Sequence, residues 1–578
     1  MRKLTRYLRS FRKEVILGPF FKLLEAVFEL IVPLLMAAII DKGIGGNDPA
    51  YIYRMGGMIV LLGMAGMACS FTCQYLAARA SQGMGTLLRN DLFAHINSLS
   101  HAEIDLLGTP SLITRLTTDI NQIQLAVAML IRLVGRVPFL ALGATVMAMS
   151  LDLRLSLVFW AAVPLVGGVL YLIMSRSVPF YKVIQKKLDH LALIARENLE
   201  GVRVIRAFSK QEAETGRFTA AGDDHTRTAV AVGKISAMLN PATYIILNFA
   251  VIAILWFGGF RVESGALSQG QIIAFVNYLS QILLALIVLA MLVVVFTRAS
   301  ASIARVNEVF DITSSITESG GPMPAAVPGT PRVEFKGLSF AYNQGGEYAL
   351  KNLSVQISAG ETVGIIGGTG AGKTTLVQLI PRFYDATEGS VLVDGVDVRE
   401  FPPTLLRQRM GIIPQRAALF SGTVAQNLRW RCPDATQGQL EAAARIAQAD
   451  EFIQKLPEGY ESRILQGGKN LSGGQRQRLT IARALVGGPD ILILDDSASA
   501  LDFATDAALR RALRQDTRGM TVFIVSQRAS SIKHADKIIV LDEGQVAGIG
   551  THRQLFESCE VYRAICLSQL SDEEAAKA

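Results

Sequence analysis

The sequence predicts an α-helical membrane domain of six spans followed by an α/β phosphate-loop domain, and three observations predict it. Half of the 578 residues are hydrophobic and only 18% are charged, a balance that soluble proteins of this length rarely have. Six apolar segments in the first half are long enough to cross ~30 Å of hydrocarbon at about 20 residues each. The second half instead alternates short apolar runs with helix-compatible stretches, and one such run leads into a glycine-rich loop.

Taken in order, the chain opens on Arg2, Lys3, Arg6, Arg9, Arg12 and Lys13 with no acid among them, which places the N-terminus in the cytoplasm. Leu4, Tyr7, Leu8 and Phe11 recur at i, i+3, i+4 and i+7, the period of a helix lying on the membrane surface. The apolar run that follows is too long for a cleaved signal and lacks a small-residue cleavage site.

The spans are expected at 15–40, 55–78, 129–149, 155–174, 238–260 and 272–297, and four of the six contain no charge. Connections are short after the first, third and fifth spans. The long ones, 79–128 and 175–236, are rich in Arg and Lys and therefore belong inside. They carry helical periodicity but too few apolar residues for cores of their own, so they read as cytoplasmic extensions of the membrane helices. An even number of spans returns the chain to the cytoplasm. The expected organisation is a membrane domain over 1–311, a Ser/Thr/Gly/Pro-rich linker over 312–332, an α/β domain over 333–570 and a tail over 571–578.

Composition also excludes. Five scattered cysteines without a CxxC pair give neither a disulfide framework nor a zinc site, and Cys69 and Cys73, on one helix face, read as packing. The net charge of +8 is accounted for by the basic N-terminus and loops. No aromatic and basic stripe suggests nucleic acid.

Gly367-Gly368-Thr369-Gly370-Ala371-Gly372-Lys373-Thr374-Thr375 follows the apolar run 363–366, the strand, loop and helix context of a P-loop. Glycines let backbone N–H groups turn around the phosphates of ATP, the helix N-terminus adds positive potential, and Lys373 reaches the β and γ oxygens. Thr374 is the expected Mg²⁺ ligand. The run 491–495 ends in Asp495, which puts a carboxylate beside that metal at the C-terminal edge of a parallel sheet.

Leu471-Ser472-Gly473-Gly474-Gln475 completes a resemblance, spanning nearly the whole chain, to the ATP-binding cassette (ABC) exporters. The resemblance implies that Ser472, Gly473, Gly474 and Gln475 cap the ATP held by an opposite subunit, so that two such chains must close face to face. It implies that Tyr342, after a strand over 333–341, stacks on adenine and that Gln415 links Mg²⁺ to the membrane domain. It also places coupling helices near 103–111 and 206–214.

Two positions depart from the family pattern. Asp496 stands where a glutamate polarises the attacking water, and Gln527 stands where a histidine precedes an arginine. His534, seven residues on, reads as a surface residue. Asp is one methylene shorter than Glu, and an ångström of misplacement can cost on the order of 10²-fold in rate. Gln527 can donate a hydrogen bond but cannot carry imidazole's charge. ATP binding should survive while hydrolysis falls, and the intact signature should serve a partner, so the expected assembly is a heterodimer. A homodimer with slow turnover and an ATP-gated channel or regulator stand as alternatives.

Glu25 and Glu29 lie four apart in the first span, and Arg132 and Arg136 four apart in the third. Counting ~1.5 Å per residue from the outer ends puts Glu25 roughly 22 Å and Arg136 roughly 21 Å deep, so they can pair. Intramembrane charges face a partner or a wet cavity, which leaves structural ion pairs and substrate-pathway residues both open. The expected function is outward transport of drugs or lipids, with membrane lipid and small hydrophobic molecules as partners, in the plasma membrane of a bacterium.

Overall fold

The computed structural model describes residues 6–316, 321–343, 345–497, 501–517 and 519–569. Arg2, Lys3 and Leu4 of the basic N-terminal run, part of the linker and the 571–578 tail lie outside the described residues. The chain divides into two compact units. One comprises Met1–Asn97 with Thr109–Ile312, and the other Ser98–Gly108 with Thr313–Ala578.

The first unit is built from six long helices, Arg6–Ile44, Pro49–Ser98, Thr109–Leu151, Leu157–Glu200, Gln211–Glu263 and Gln269–Asp311. Five of them contain an expected span whole, and the fourth begins at Leu157, two residues inside the expected 155–174. Pro49–Ser98 has 50 residues, about 75 Å of helix at 1.5 Å per residue, more than twice the hydrocarbon thickness. The excess is the helical extension expected of the long loops.

Small residues bring these helices together where lipid offers no hydrophobic drive. A Cβ at Gly18 would lie 2.5 Å from Ile131, and one at Gly143 would lie 2.5 Å from Leu30, so the first and third helices touch through glycine at both places. Pro33 has no N–H to give the Glu29 carbonyl, and Gln281 of the sixth helix donates to it at 3.4 Å. Nearby, the fully buried Tyr278 donates its hydroxyl to the Leu30 carbonyl at 2.7 Å. Side chains of the sixth helix thus bond backbone carbonyls of the first.

In the second unit, a six-stranded sheet runs Gln545–Gly550, Lys537–Asp542, Thr362–Gly367, Thr521–Val525, Ile491–Asp495, Met410–Ile413. All neighbours are parallel except the first pair. Ile491–Asp495 is buried at every position, as a parallel strand covered on both faces must be. A four-stranded antiparallel sheet, containing Val333–Phe340 and Leu350–Ile357, shares its core.

The segment 98–108 also belongs to this unit. Its short helix His101–Leu107 opens on a capping box formed by Ser100 and Glu103. His101 stacks on Phe383 with ring centroids 4.3 Å apart, and Asp105 accepts from the Tyr384 hydroxyl at 2.8 Å. Burial works to raise the Glu103 carboxyl, but hydrogen bonds from Ser100 and Ser315 outweigh it and hold the group below the usual range.

Phe523 lies fully buried at the centre of the large sheet. Phe523→Ala is expected to remove about 3–5 kcal/mol from this unit. In calorimetry of the detergent-solubilised chain, the nucleotide-domain transition should fall and the membrane-domain transition should stay.

Candidate functional site

Three parallel strands end together and assemble the site. Val525 pairs with Ile365 on one side and with Asp495 on the other. The backbone continues the ladder: Ser526 N donates to Ile365 O at 3.1 Å and Asp496 N to Val525 O at 3.0 Å. The glycine-rich loop, Asp495 and Asp496, and Gln527 therefore emerge side by side.

They line one cleft of about 360 Å³, in which Thr369, Gly370, Gly372, Lys373, Thr374 and Thr375 form the floor. Tyr342, Gln415, Asp495, Asp496 and Gln527 form its walls. Gly367 and Ala371 are buried behind the loop. Gly367 is required because a Cβ would lie 2.1 Å from the Leu541 carbonyl. At Gly368 and Gly370 a Cβ would meet nothing within 4 Å, so the loop keeps an open cradle above its backbone.

Lys373 is buried and donates to the carbonyls of Gly367 and Gly368 at 2.9 and 2.6 Å. Burial lowers its pKa, opposed by the carboxylates of Asp496 and Asp495. Thr374 donates to Asp495 Oδ1 at 3.0 Å, which brings a hydroxyl and a carboxylate to one point. Burial raises the Asp495 pKa, the Thr374 hydrogen bond opposes this, and neighbouring Asp496 reinforces it. Among the described residues no three His, Cys, Asp or Glu side chains gather as a metal cage. That suits Mg²⁺, which is held by one or two protein groups together with substrate phosphates. Thr374 and Asp495 fit the ion, and bound Mg²⁺ would neutralise phosphate charge there.

Asp496 has left-handed backbone, φ 45°, and its Oδ2 accepts from Gln415 Nε2 in a long contact of 3.5 Å. The Tyr342 hydroxyl is 2.9 Å from Thr375 Oγ1. Its ring is held edge-on by Phe340 and Tyr384, and with 51% of the residue exposed an aromatic surface remains for a planar base. His534 is exposed and does not line the cleft.

The signature residues lie elsewhere. Ser472 caps the helix Gly473–Leu485, its hydroxyl accepting from Gln475 N at 3.2 Å while Gln475 Oε1 accepts from Ser472 N at 2.9 Å. Ser472 and Gly473 are exposed, and none of the four lines the cleft. The structure thus gathers the P-loop, both aspartates, Gln415, Tyr342 and Gln527, and leaves 472–475 outside the cleft.

Sequence reasoning missed Gln569. Its side-chain amide donates to Gln527 O at 2.7 Å and accepts from Ala529 N at 2.8 Å, clamping the loop that presents Gln527. Only its place near the chain's end, far from every motif, was visible beforehand.

In the membrane unit, Arg136 donates to Glu29 at 2.6 Å and lies 4.0 Å from Glu25. Lys22, unremarked in the sequence, holds both Glu25 oxygens at 2.9 and 2.6 Å. An intramembrane lysine three residues before a glutamate was the available signal. The structure does not bring Arg132 to either glutamate.

Comparison with known proteins gives one answer. Residues 15–299 match the ABC transporter transmembrane region and 350–499 the ABC transporter family. An uncharacterised ABC transporter ATP-binding protein of Mycobacterium bovis is 37% identical, over 98% of this chain and 97% of its own. An ATP-dependent lipid A-core flippase of Chromohalobacter salexigens is 31% identical, over 99% and 98% respectively. A bacterial Atm1-family ABC exporter solved with ATP bound superposes with a TM-score of 0.81 at 25% identity, over 97% of this chain and 100% of that one.

Two substitutions test this geometry. A Cβ at Gly372, whose φ is 90°, would lie 2.7 Å from the Ala349 carbonyl. Strain of about 1–3 kcal/mol is expected to cut ATP affinity about 5- to 150-fold in Gly372→Ala, read by calorimetric titration of the solubilised chain. Gln569→Ala should leave ADP affinity unchanged and narrow the preference for ATP over ADP, because Gln527 loses its support at the wall of the cleft.

Proposed function

Because this chain belongs to the ABC transporter family, we propose that it is the weakly hydrolysing half of a heterodimeric, ATP-driven exporter. The observation that carries this reading is the pair of groups beside the P-loop. Asp496 offers a carboxylate one methylene short of glutamate, turned to Gln415, and Gln527 offers a neutral amide in place of imidazole. Neither holds a water and a γ-phosphate as the family's pair would. The cradle, Lys373, Thr374 and Asp495 remain suited to ATP and Mg²⁺, so the site binds its nucleotide and turns it over slowly.

The 472–475 segment, outside the cleft, supports the second half of the reading. Its glycine amides open the helix Gly473–Leu485, and a partner's ATP could be capped there. Tyr342 serves as the adenine platform and Gln415 as the link from metal site to membrane domain. The segment near 103–111 transmits closure, since His101 and Asp105 are held by Phe383 and Tyr384 within the nucleotide unit. The segment near 206–214 is assigned the same role.

Both termini and the nucleotide domain are assigned to the cytoplasm of a bacterial cell, with the spans in its plasma membrane. The cargo is assigned to lipids or hydrophobic drugs, and the flippase relative supports the lipid side. Glu25, Glu29, Arg132 and Arg136 are assigned to the substrate pathway.

The experiment is ATPase measurement on the purified chain alone and with a partner half carrying Glu and His at these positions. Alone, the chain should be slow. Asp496→Glu combined with Gln527→His should raise its turnover by about 10²-fold. Ordinary pump rates from the chain alone, abolished by Asp496→Asn, would overturn the reading.

A further inference from the structure

A second cavity, of about 690 Å³, borders the loop that presents Gln527. Gln527 lines the nucleotide cleft, whereas the next two residues, Arg528 and Ala529, line this cavity. The loop is therefore a wall common to both. Gln569 lines the second cavity too, and it is the side chain that clamps the loop through Gln527 O and Ala529 N. The volume falls within the range of small-molecule sites, about 300–1,000 Å³.

Rings and cations make up much of its lining. Phe503 and Phe556 supply aromatic surface. The Arg528 guanidinium lies over the Phe503 ring, 5.2 Å from its centroid, a cation–π contact that leaves the N–H donors unspent. Neither Arg528 nor Lys533 makes a side-chain hydrogen bond or ion pair among the described residues. Arg553 and Glu557 lie 3.6 Å apart in an exposed pair, which is worth little in water. Three cations, Arg528, Lys533 and Arg553, thus line the cavity against one carboxylate. His552 is set beside them, its Nδ1 2.8 Å from the hydroxyl of fully buried Tyr562.

Scattered over a solvated surface, such cations would be ordinary. Here they share a ligand-sized cavity with two phenyl rings and with the clamp of the nucleotide-cleft loop. That combination fits one chemistry, a small planar ring carrying an oxyanion: the ring packs on phenylalanine and the oxygens accept from the guanidinium fork. We propose that this cavity binds a small aromatic oxyanion and that its occupancy steadies residues 527–529, raising the preference of the nucleotide cleft for ATP over ADP. Gln569 carries the effect, because it belongs to the cavity and holds the loop. The inference goes beyond the exporter reading and does not depend on how fast the cleft hydrolyses ATP.

The test uses the solubilised full chain and pyridoxal 5′-phosphate, a planar ring that bears a phosphate and an aldehyde. The aldehyde condenses with a lysine amine to an imine with release of water, and borohydride reduces the imine to a stable amine for mass spectrometry. A non-hydrolysable ATP analogue keeps the reagent from Lys373. Lys533 should be labelled about tenfold ahead of the exposed Lys469, the factor expected of one charge-assisted contact. Pyridoxal, which lacks the phosphate, should show no such preference. Arg528→Gln and Phe503→Ala should each bring Lys533 labelling down toward that of Lys469, and Phe503 is 72% exposed, so its replacement leaves the core intact. By reciprocity, ADP in place of the ATP analogue should lower Lys533 labelling about fivefold, and Gln569→Ala should abolish that difference.

Equal labelling of Lys533 and Lys469, or a preference that pyridoxal reproduces, overturns the oxyanion site. A preference that survives both Arg528→Gln and Phe503→Ala overturns the assignment to these residues. Labelling that does not distinguish the ATP analogue from ADP, or that still distinguishes them in Gln569→Ala, overturns the coupling to the cleft.

Discussion

The register of three parallel strands, with Val525 opposite both Ile365 and Asp495, is the constraint on which the nucleotide cleft depends. Loops that leave a parallel sheet at one edge have their first residues fixed by the ladder behind them. The P-loop, the paired aspartates and Gln527 come from distant stretches of sequence, yet all emerge within a few residues of that edge. A one-residue slip would turn Asp495 away from Thr374. The buried runs on either side, with Phe523 and Ile493 at their centre, make such a slip too costly to occur. Core packing and site geometry are therefore one requirement.

The same edge fixes how far the side chains of Asp496 and Gln527 can reach. A side chain anchored by the strand ladder cannot advance when it is shortened. Asp496 N is tied to Val525 O, which fixes the backbone from which its carboxylate reaches Gln415. Gln527 is fixed from the other side by Gln569, through both its own carbonyl and the Ala529 N–H. Rigid support preserves whatever the side chain can do. Here it holds the Gln527 amide, which can donate a hydrogen bond, at the edge of the cleft.

Legibility in the sequence followed the range of the forces involved. The six spans were readable because hydrocarbon demands about 20 apolar residues whatever surrounds them, and the P-loop because its glycines answer a local backbone need. Lys22 was overlooked because a lone lysine in an apolar run conveys little until Glu25 and Ser70 are seen around it. Gln569 was illegible in principle: its role consists of two hydrogen bonds to residues some forty positions away. The placement of 472–475 outside the cleft was inferred only through resemblance, since periodicity says nothing about which face a helix N-terminus presents.

The membrane charges obey a different economy from those in the cleft. In the cleft, Lys373 and the two aspartates are held close by a sheet and await phosphate and metal, so their mutual repulsion and attraction are settled by what binds. In the membrane, Lys22–Glu25 and Arg136–Glu29 are settled already, each by a neighbour within hydrogen-bond distance. Such pairs keep the helices in register, a requirement that holds whether or not a ligand is bound.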